Sequence, residues 1–413
     1  MRRPSRLRLW ALCLWVVTSA IGCAGDPPDA GGCEVPGRCA PLEVPGPAPR
    51  LGETRQVVPA TPWPDGAYVG AAVNNLDIVD HEGRLWLAYR TAPTHFAGAD
   101  VQLVVVSTED ERTWRHELTL QQDTDLREPR LLSWQGRLFL YYAVLGRREN
   151  AFEPERAEVV VRDSAGTWSS PAPAFGPRFI PWRARVMAGR PHLVGYSEGQ
   201  RVYDLSGGSM PVEIYTSDTG LDWDPVRAQG PVVLEGGVSE LDFAYLPDGS
   251  VVAVGRNEAG DEDGFGSKIC RGEPADPWSW RCATDPRKYD SPLVFARGAR
   301  VYLIGRRHLT ESGHYDVGRP EAPWLQRFLA NQYAYWNARK RCALWEVDAE
   351  ALTVHFLLDL PSQGDTCFAS IVERGPSLTV VYNYSSPLEG DDPIWRDGQR
   401  GETRLYRSEI LWD

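Results

Sequence analysis

Three arginines, three acids and two tyrosines occupy equivalent places in a recurring pair of apolar strands. Arg90, Arg256 and Arg306 each end a second strand, as do Tyr196 and Tyr382. Glu128, Glu240 and Asp290 each open a first strand. The two strands of a hairpin start and end at one edge, so all eight side chains are expected around one mouth. A guanidinium fork holds a carboxylate through two parallel hydrogen bonds. The set therefore suits a ligand that carries a carboxylate. The competing reading is a ring of arginines that only neutralise Glu128, Glu240 and Asp290, since buried charges need partners.

The elements that position this set come from a repeat. An apolar strand, a glycine turn and a second apolar strand recur six times, with glycines at Gly83, Gly136, Gly189, Gly249, Gly298 and Gly375. Stretches such as NNLDIVDHEGRLWLAYR and ELDFAYLPDGSVVAVGR read as β-hairpins. Third strands ending in a Trp-containing turn follow in VQLVVVSTEDERTW, AEVVVRDSAGTW and VEIYTSDTGLDW. Only Trp324 to Lys340 reads as a possible helix. Strands at this spacing without intervening helices argue against a parallel α/β fold and for an all-β, six-bladed β-propeller over 66–413. The segment 54–60, TRQVVPA, is expected to close the sixth blade.

Thr216, Asp218, Gly220 and Trp223 match an Asp-box, S/T-x-D-x-G-x-x-W, and Ser107 to Trp114 and Asp163 to Trp168 are degraded copies. In such a turn the carboxylate is expected to accept backbone N–H groups. The motif is structural.

With these motifs on the page, the chain resembles the sialidase superfamily of exo-α-sialidase-like proteins. The resemblance rests on GRLWLAYR followed by His95, DLREPRLL, SELDFAYLPDGSVVAVGR, LPSQGDTCFASIV and VVYNYSS. It runs from about residue 70 to the end. It implies a carbohydrate-facing pocket on the propeller axis, with arginines on a substrate carboxylate. It also implies a tyrosine activated by a glutamate and an aspartic acid as proton donor. Glu240 and Arg256 carry over to the family pattern. Arg90, Arg306, Arg127 and His95 are the further substrate-binding candidates, and Tyr382, Glu128 and Asp290 the further catalytic ones. The family tyrosine after LPSxGDxx is Phe368 here, and Tyr382 or Tyr384 is left to replace it. Asp100 and Asp125 are weak candidates for the acid. Inverting chemistry needs only two carboxyls about 6.5–9.5 Å apart, which Glu128 with Asp290 or Glu240 would supply.

The function expected is a sialidase-like glycoside hydrolase acting on an acidic sugar. The alternatives are a catalytically inactive carbohydrate-binding propeller and a protein-docking scaffold.

The first residues read as a targeting segment. Arg2, Arg3, Arg6 and Arg8 precede an apolar stretch too short to span a bilayer, then Ala20-Ile21-Gly22-Cys23. This resembles a bacterial lipobox, which implies a signal peptide over 1–22, lipidation of Cys23 and a cell-envelope location, outer membrane or cell surface. Residues 23–65 read as a Pro/Gly-rich tether. The net charge is −12; removing 1–22, with four arginines and no acid, leaves −16. That balance argues against nucleic acid as a partner and leaves contact with a membrane to the lipid anchor. The partner expected is a carbohydrate or glycoconjugate. Spacing suggests the bridges Cys33–Cys39, Cys270–Cys282 and Cys342–Cys367, as an oxidising compartment allows. No cysteine or histidine spacing fits a metal, no cofactor is implied, and Asp261 to Gly264 (DEDG) reads as a solvated turn before a calcium loop.

Overall fold

In the computed structural model, residues 48–149, 151–205 and 208–412 are described. The expected signal peptide, the expected lipid site at Cys23 and the expected Cys33–Cys39 bridge lie outside the described residues. The rest is all-β and forms six antiparallel sheets. Blade 1 comprises Ala72–His81, Arg84–Ala92, Gln102–Thr108 and Trp114–Leu120. Blade 2 comprises Asp125–Trp134, Arg137–Leu145, Pro154–Arg162 and Ala172–Ala174. Blade 3 has Ile180–Met187, Arg190–Tyr196 and Met210–Ser217, whose last strand pairs with both Trp223–Pro225 and Val232–Gly236. Blade 4 comprises Val238–Tyr245, Val251–Asn257, Ser267–Glu273 and Asp276–Asp285. Blade 5 comprises Leu293–Arg297, Arg300–His308, Lys340–Asp348 and Thr353–Leu360. Blade 6 joins Ser370–Glu373, Leu378–Ser385 and Arg404–Leu411 to the first strand, Arg50–Val58.

The six repeat glycines all have positive φ, and a Cβ at any of them would meet no atom within 4 Å. Backbone conformation, not space, therefore selects glycine. Glu82, Gln135 and Ala188, each just before its glycine, also have positive φ. Those pairs are two-residue loops in which both φ are positive, the geometry that matches strand twist.

Neighbouring blades are stapled near the axis. Asp77 accepts the backbone N–H of Leu131 at 2.9 Å and the Ser370 hydroxyl at 2.7 Å. Asp242 accepts the N–H of Val294 at 2.6 Å. The axis itself is filled. Trp182 and Phe368 meet edge to face at 5.3 Å, and the buried Arg130 guanidinium lies 4.4 Å from the Phe368 ring and 4.9 Å from Trp182. Cation–π contact is strongest where water is excluded.

The ring closes through the segment expected for it, though the strand starts earlier, at Arg50. Thr54 pairs with Ser408 and Val58 with Leu405. Residues 50–58, read above as tether, thus belong to the sheet. The seam with blade 1 is held by Glu111. Its carboxylate accepts Tyr382 Oη at 3.0 Å, Arg407 Nε at 2.6 Å and Arg374 Nη2 at 3.2 Å. Burial opposes its ionisation, but these donors outweigh burial and lower its pKa. Glu111→Gln is expected to cost about 2 kcal/mol, the scale of hydrogen bonds to a charge. The difference from wild type is full above the ordinary value of 4.5 and closes as pH falls through the lower folded value. Urea melts at neutral and acid pH check this; an equal gap at both would contradict it.

One face carries the tight glycine turns. The other carries the long connections 93–101, 146–153, 197–209, 258–266, 309–339 and 386–403. The connection 309–339 holds the helix Trp324–Trp336. No helix among the described residues is long and apolar enough to cross a membrane. Cys270–Cys282 joins paired strands of blade 4, and Cys342–Cys367 joins blade 5 to the segment entering blade 6. Such bonds belong to an extracellular or periplasmic protein.

Candidate functional site

The long-loop face surrounds a mouth of charged groups. Glu240 and Arg256 meet there as strand pairing requires, with Arg256 Nη1 2.9 Å from Glu240 Oε1. The other Glu240 oxygen accepts the Ser291 N–H at 2.7 Å. Arg256 also contacts Glu258 at 2.9 Å. Lys288 continues the network to Glu258 at 2.9 Å and Asp290 at 3.4 Å. Asp290 takes Arg306 Nη1 at 2.6 Å and the Tyr335 hydroxyl. Arg306 donates as well to the Thr366 carbonyl, and Trp395 lies 4.9 Å from its guanidinium.

A second network lies beside it. Arg90 is fully buried and donates to Asp125 through Nε and Nη2, at 3.0 and 2.9 Å. Arg127 pairs with the same Asp125 and donates to the His95 carbonyl at 2.9 Å. His95 Nδ1 sits 2.6 Å from Asp365, which also accepts Tyr384 Oη and Trp395 Nε1, each at 3.1 Å. Glu128 accepts Asn75 Nδ2 at 2.9 Å and lies 3.3 Å from Arg130.

Burial raises the Glu240 carboxyl to about 7; Asp290 and Glu128 add to the rise, and Arg256 opposes it. Asp290 is driven the other way. Burial penalises its charge, yet Lys288, Arg306 and Arg256 outweigh burial and hold it ionised. The mouth thus sets a carboxyl raised toward neutral pH, Glu240, beside one that is held ionised, Asp290. Perturbed acids of this kind cluster at functional sites.

Most of the residues named from sequence converge here: Glu240, Glu128, Asp290, Arg256, Arg306, Arg127 and His95. Three expectations are corrected. Tyr382 does not reach the mouth. Its strand continues to Ser385, so Tyr382 lies further along and binds Glu111 at the tight-turn end, while Tyr384 stands at the mouth. Arg90 reaches the site but is enclosed by Asp125, Asn74 and the Phe96 carbonyl, with no surface left for a ligand. Asp125 is fully buried between Arg90 and Arg127, and Asp100 is exposed in its loop.

The Asp218 turn differs from expectation too. Asp218 is exposed and pairs with Arg190 at 2.9 Å. Ser217 Oγ and Thr219 Oγ1 accept the turn's N–H groups instead. The degraded copies do use carboxylates: Asp110 accepts from Arg112 and Thr113, and Asp163 from Ala165 and Thr167. In the DEDG turn, Lys268 Nζ lies 2.9 Å from Asp261 and 2.8 Å from Asp263, where a calcium ion would sit. Among the described residues no cluster fits a metal.

Sequence reasoning missed Glu258, Lys288, Tyr203, Tyr335, Asp365 and Trp395. All six lie in the connections outside the strands, which carry no period to report them.

Comparison with known proteins bears on the fold. No family model and no curated protein matches the chain. Among solved structures, a protein of unknown function from Dyadobacter fermentans aligns at TM-score 0.58 and 16% identity, over 89% of this chain and all of that one. Trypanosoma rangeli sialidase in complex with sialic acid aligns at 0.56 and 12%, over 88% of this chain and 59% of the sialidase. The phage phi92 endosialidase aligns at 0.50 and 9%, over 82% and 66%. The fold is the sialidase-type six-bladed propeller. The chain spans under two thirds of the length of these sialidases.

Phe368 explains itself within this fold. It is 3% exposed and packed on the axis against Trp182 and Arg130, so a hydroxyl there would point into the plug. Phe368→Tyr is expected to create no turnover and to cost about 1–3 kcal/mol for a buried unpaired hydroxyl. A fluorogenic glycoside assay and a urea melt of the variant test both halves; a gain of activity would contradict the placement.

Proposed function

We propose that the mouth binds a glycan carrying an acidic sugar and hydrolyses its glycosidic bond, with Glu240 as proton donor. The observation that carries this reading is the placement of the Glu240 carboxyl, buried at the mouth between Arg256 at 2.9 Å and the Ser291 N–H at 2.7 Å, where burial raises it to about 7. Glu240 gives its proton to the departing glycosidic oxygen as the C–O bond breaks. Glu128, whose side chain is 13% exposed, takes a proton from the water that forms the new bond to the anomeric carbon. Arg256 and Arg306, 7% and 5% exposed and held by Glu240, Glu258 and Asp290, form the wall of the mouth on the side of the sugar carboxylate. Half-buried Tyr203 and Trp395 offer aromatic faces to the sugar ring.

A second reading, glycan binding without turnover, is favoured by the tyrosines. Tyr335 and Tyr384 are 0% and 2% exposed and bound to Asp290 and Asp365, so neither hydroxyl is open to an anomeric carbon. Release of product from a panel of fluorogenic glycosides, sialosides included, decides between them. Turnover lost in Glu240→Gln supports hydrolysis; saturable binding with no turnover on any glycoside supports the binder.

The reading places the protein at the cell envelope through a lipid on Cys23, after removal of residues 1–22. The arginine-rich start, the short apolar stretch and the small residues before Cys23 support it. Residues 23–49 then act as the tether.

A further inference from the structure

Beside the mouth, on the same face, a cleft of about 680 Å³ opens between blades 6 and 1. Its walls come from the connection between Val58 and Ala72 and from the start of the last blade-6 strand, notably Trp63, Asp65, Tyr68, Glu402 and Thr403. The connection is rigidly placed. Trp63 Nε1 donates to the Ala67 carbonyl at 2.9 Å, and its ring packs against Tyr89 and Trp114. The Gly70 N–H donates to Thr91 Oγ1 at 2.7 Å, and Tyr89 Oη donates to the Tyr68 carbonyl at 3.2 Å. This frame holds the Tyr68 ring 52% exposed to solvent, although a ring of that size is ordinarily tucked away.

The cleft and the mouth share a wall. Thr403 Oγ1 accepts the Val73 N–H at 2.9 Å, and the next residue, Asn74, accepts Arg90 and lies 3.3 Å from His95. Thr91, which fixes Gly70, follows Arg90 directly. Thr403 of the cleft is thus linked to His95 of the mouth through Val73 and Asn74 alone.

The chemistry of the walls selects what lies there. No lysine, arginine or histidine lines the cleft; its charged groups are the carboxylates of Asp65 and Glu402. Carboxylates accept hydrogen bonds from hydroxyl groups and repel an anion. The tyrosine face offers an apolar platform with a polar tip. We propose that this cleft is a subsite for a neutral sugar of the glycan whose acidic sugar occupies the mouth, with Tyr68 as its platform. This inference rests on the glycan reading of the mouth.

The test is calorimetric titration of the full chain with sialyllactose and with methyl sialoside, which lacks the neutral sugars. The wild type is expected to bind the trisaccharide about tenfold more tightly, the upper scale of one aromatic contact. Tyr68→Ala is expected to reduce that ratio to about one while leaving methyl sialoside affinity and the unfolding midpoint unchanged. Tyr68→Phe is expected to keep most of the ratio. A ratio near one in the wild type, or one that survives in Tyr68→Ala, overturns the subsite and leaves the mouth reading standing. Failure of the wild type to bind either ligand overturns both.

Discussion

Glu240→Gln is expected to lower turnover of a susceptible glycoside by about 10²–10⁴-fold, the usual contribution of a positioned proton donor. Glutamine keeps the shape of the side chain and one acceptor for the Ser291 N–H, but it has no proton to give. The pH profile carries the diagnostic sign. Wild-type turnover falls as pH rises through about 7, where Glu240 loses its proton, and the residual turnover of the variant lacks that limb. Stability moves in a linked way. A carboxyl raised from 4.5 to about 7 contributes stability that is fully present below 4.5 and lost as pH rises through 7. The variant should therefore gain on the wild type across that window. Equal turnover in the two proteins would remove Glu240 from the chemistry.

Arg256→Met is expected to destabilise the propeller by about 3–5 kcal/mol, because it strands a buried group of acids. Arg256 Nη1 is within 2.9 Å of both Glu240 and Glu258 and 3.7 Å from Asp290. Its side chain is 9% exposed, so water does little to screen the loss. Lys288 and Arg306 remain, but they already serve Glu258 and Asp290. Adding Glu258→Gln to the variant should recover part of the loss, since the two sites share one network. Urea unfolding reads both; a change below about 1 kcal/mol would show that the acids are neutral when the arginine is absent. This effect also makes Arg256 a poor probe of binding, because lost folding and lost recognition would look alike.

The ring of eight residues inferred from strand ends was largely legible, and the reasons lie in backbone geometry. Two-residue turns with positive φ demand glycine, so the repeat could be counted. Once the hairpins were set, Glu240 and Arg256 had to meet. The error at Tyr382 came from the strand end: its strand runs three residues further, and at about 3.3 Å per residue that carries the mouth to Tyr384. The arginines were legible as a set, but their partners were not. Arg90 turns to Asp125, whose strand belongs to the next blade, and no local pattern reports such a contact. Asp365 lay within a quoted motif, yet its role at the mouth depends on the connection from blade 5, tied down by Cys342–Cys367. At Asp218 the sequence match was complete while the turn chemistry was supplied by Ser217 and Thr219, because hydroxyls and carboxylates are interchangeable acceptors for turn N–H groups.

The central claim is that the long-loop mouth is a glycan site. Its most direct test is calorimetric titration of the full chain with a sialoside, in the wild type, in His95→Ala at the mouth and in Tyr382→Phe at the opposite end of blade 6. The account predicts saturable binding that weakens at least tenfold, about 1.4 kcal/mol, in His95→Ala and is unchanged in Tyr382→Phe. Absence of binding in the wild type, or its loss only in Tyr382→Phe, would contradict the account.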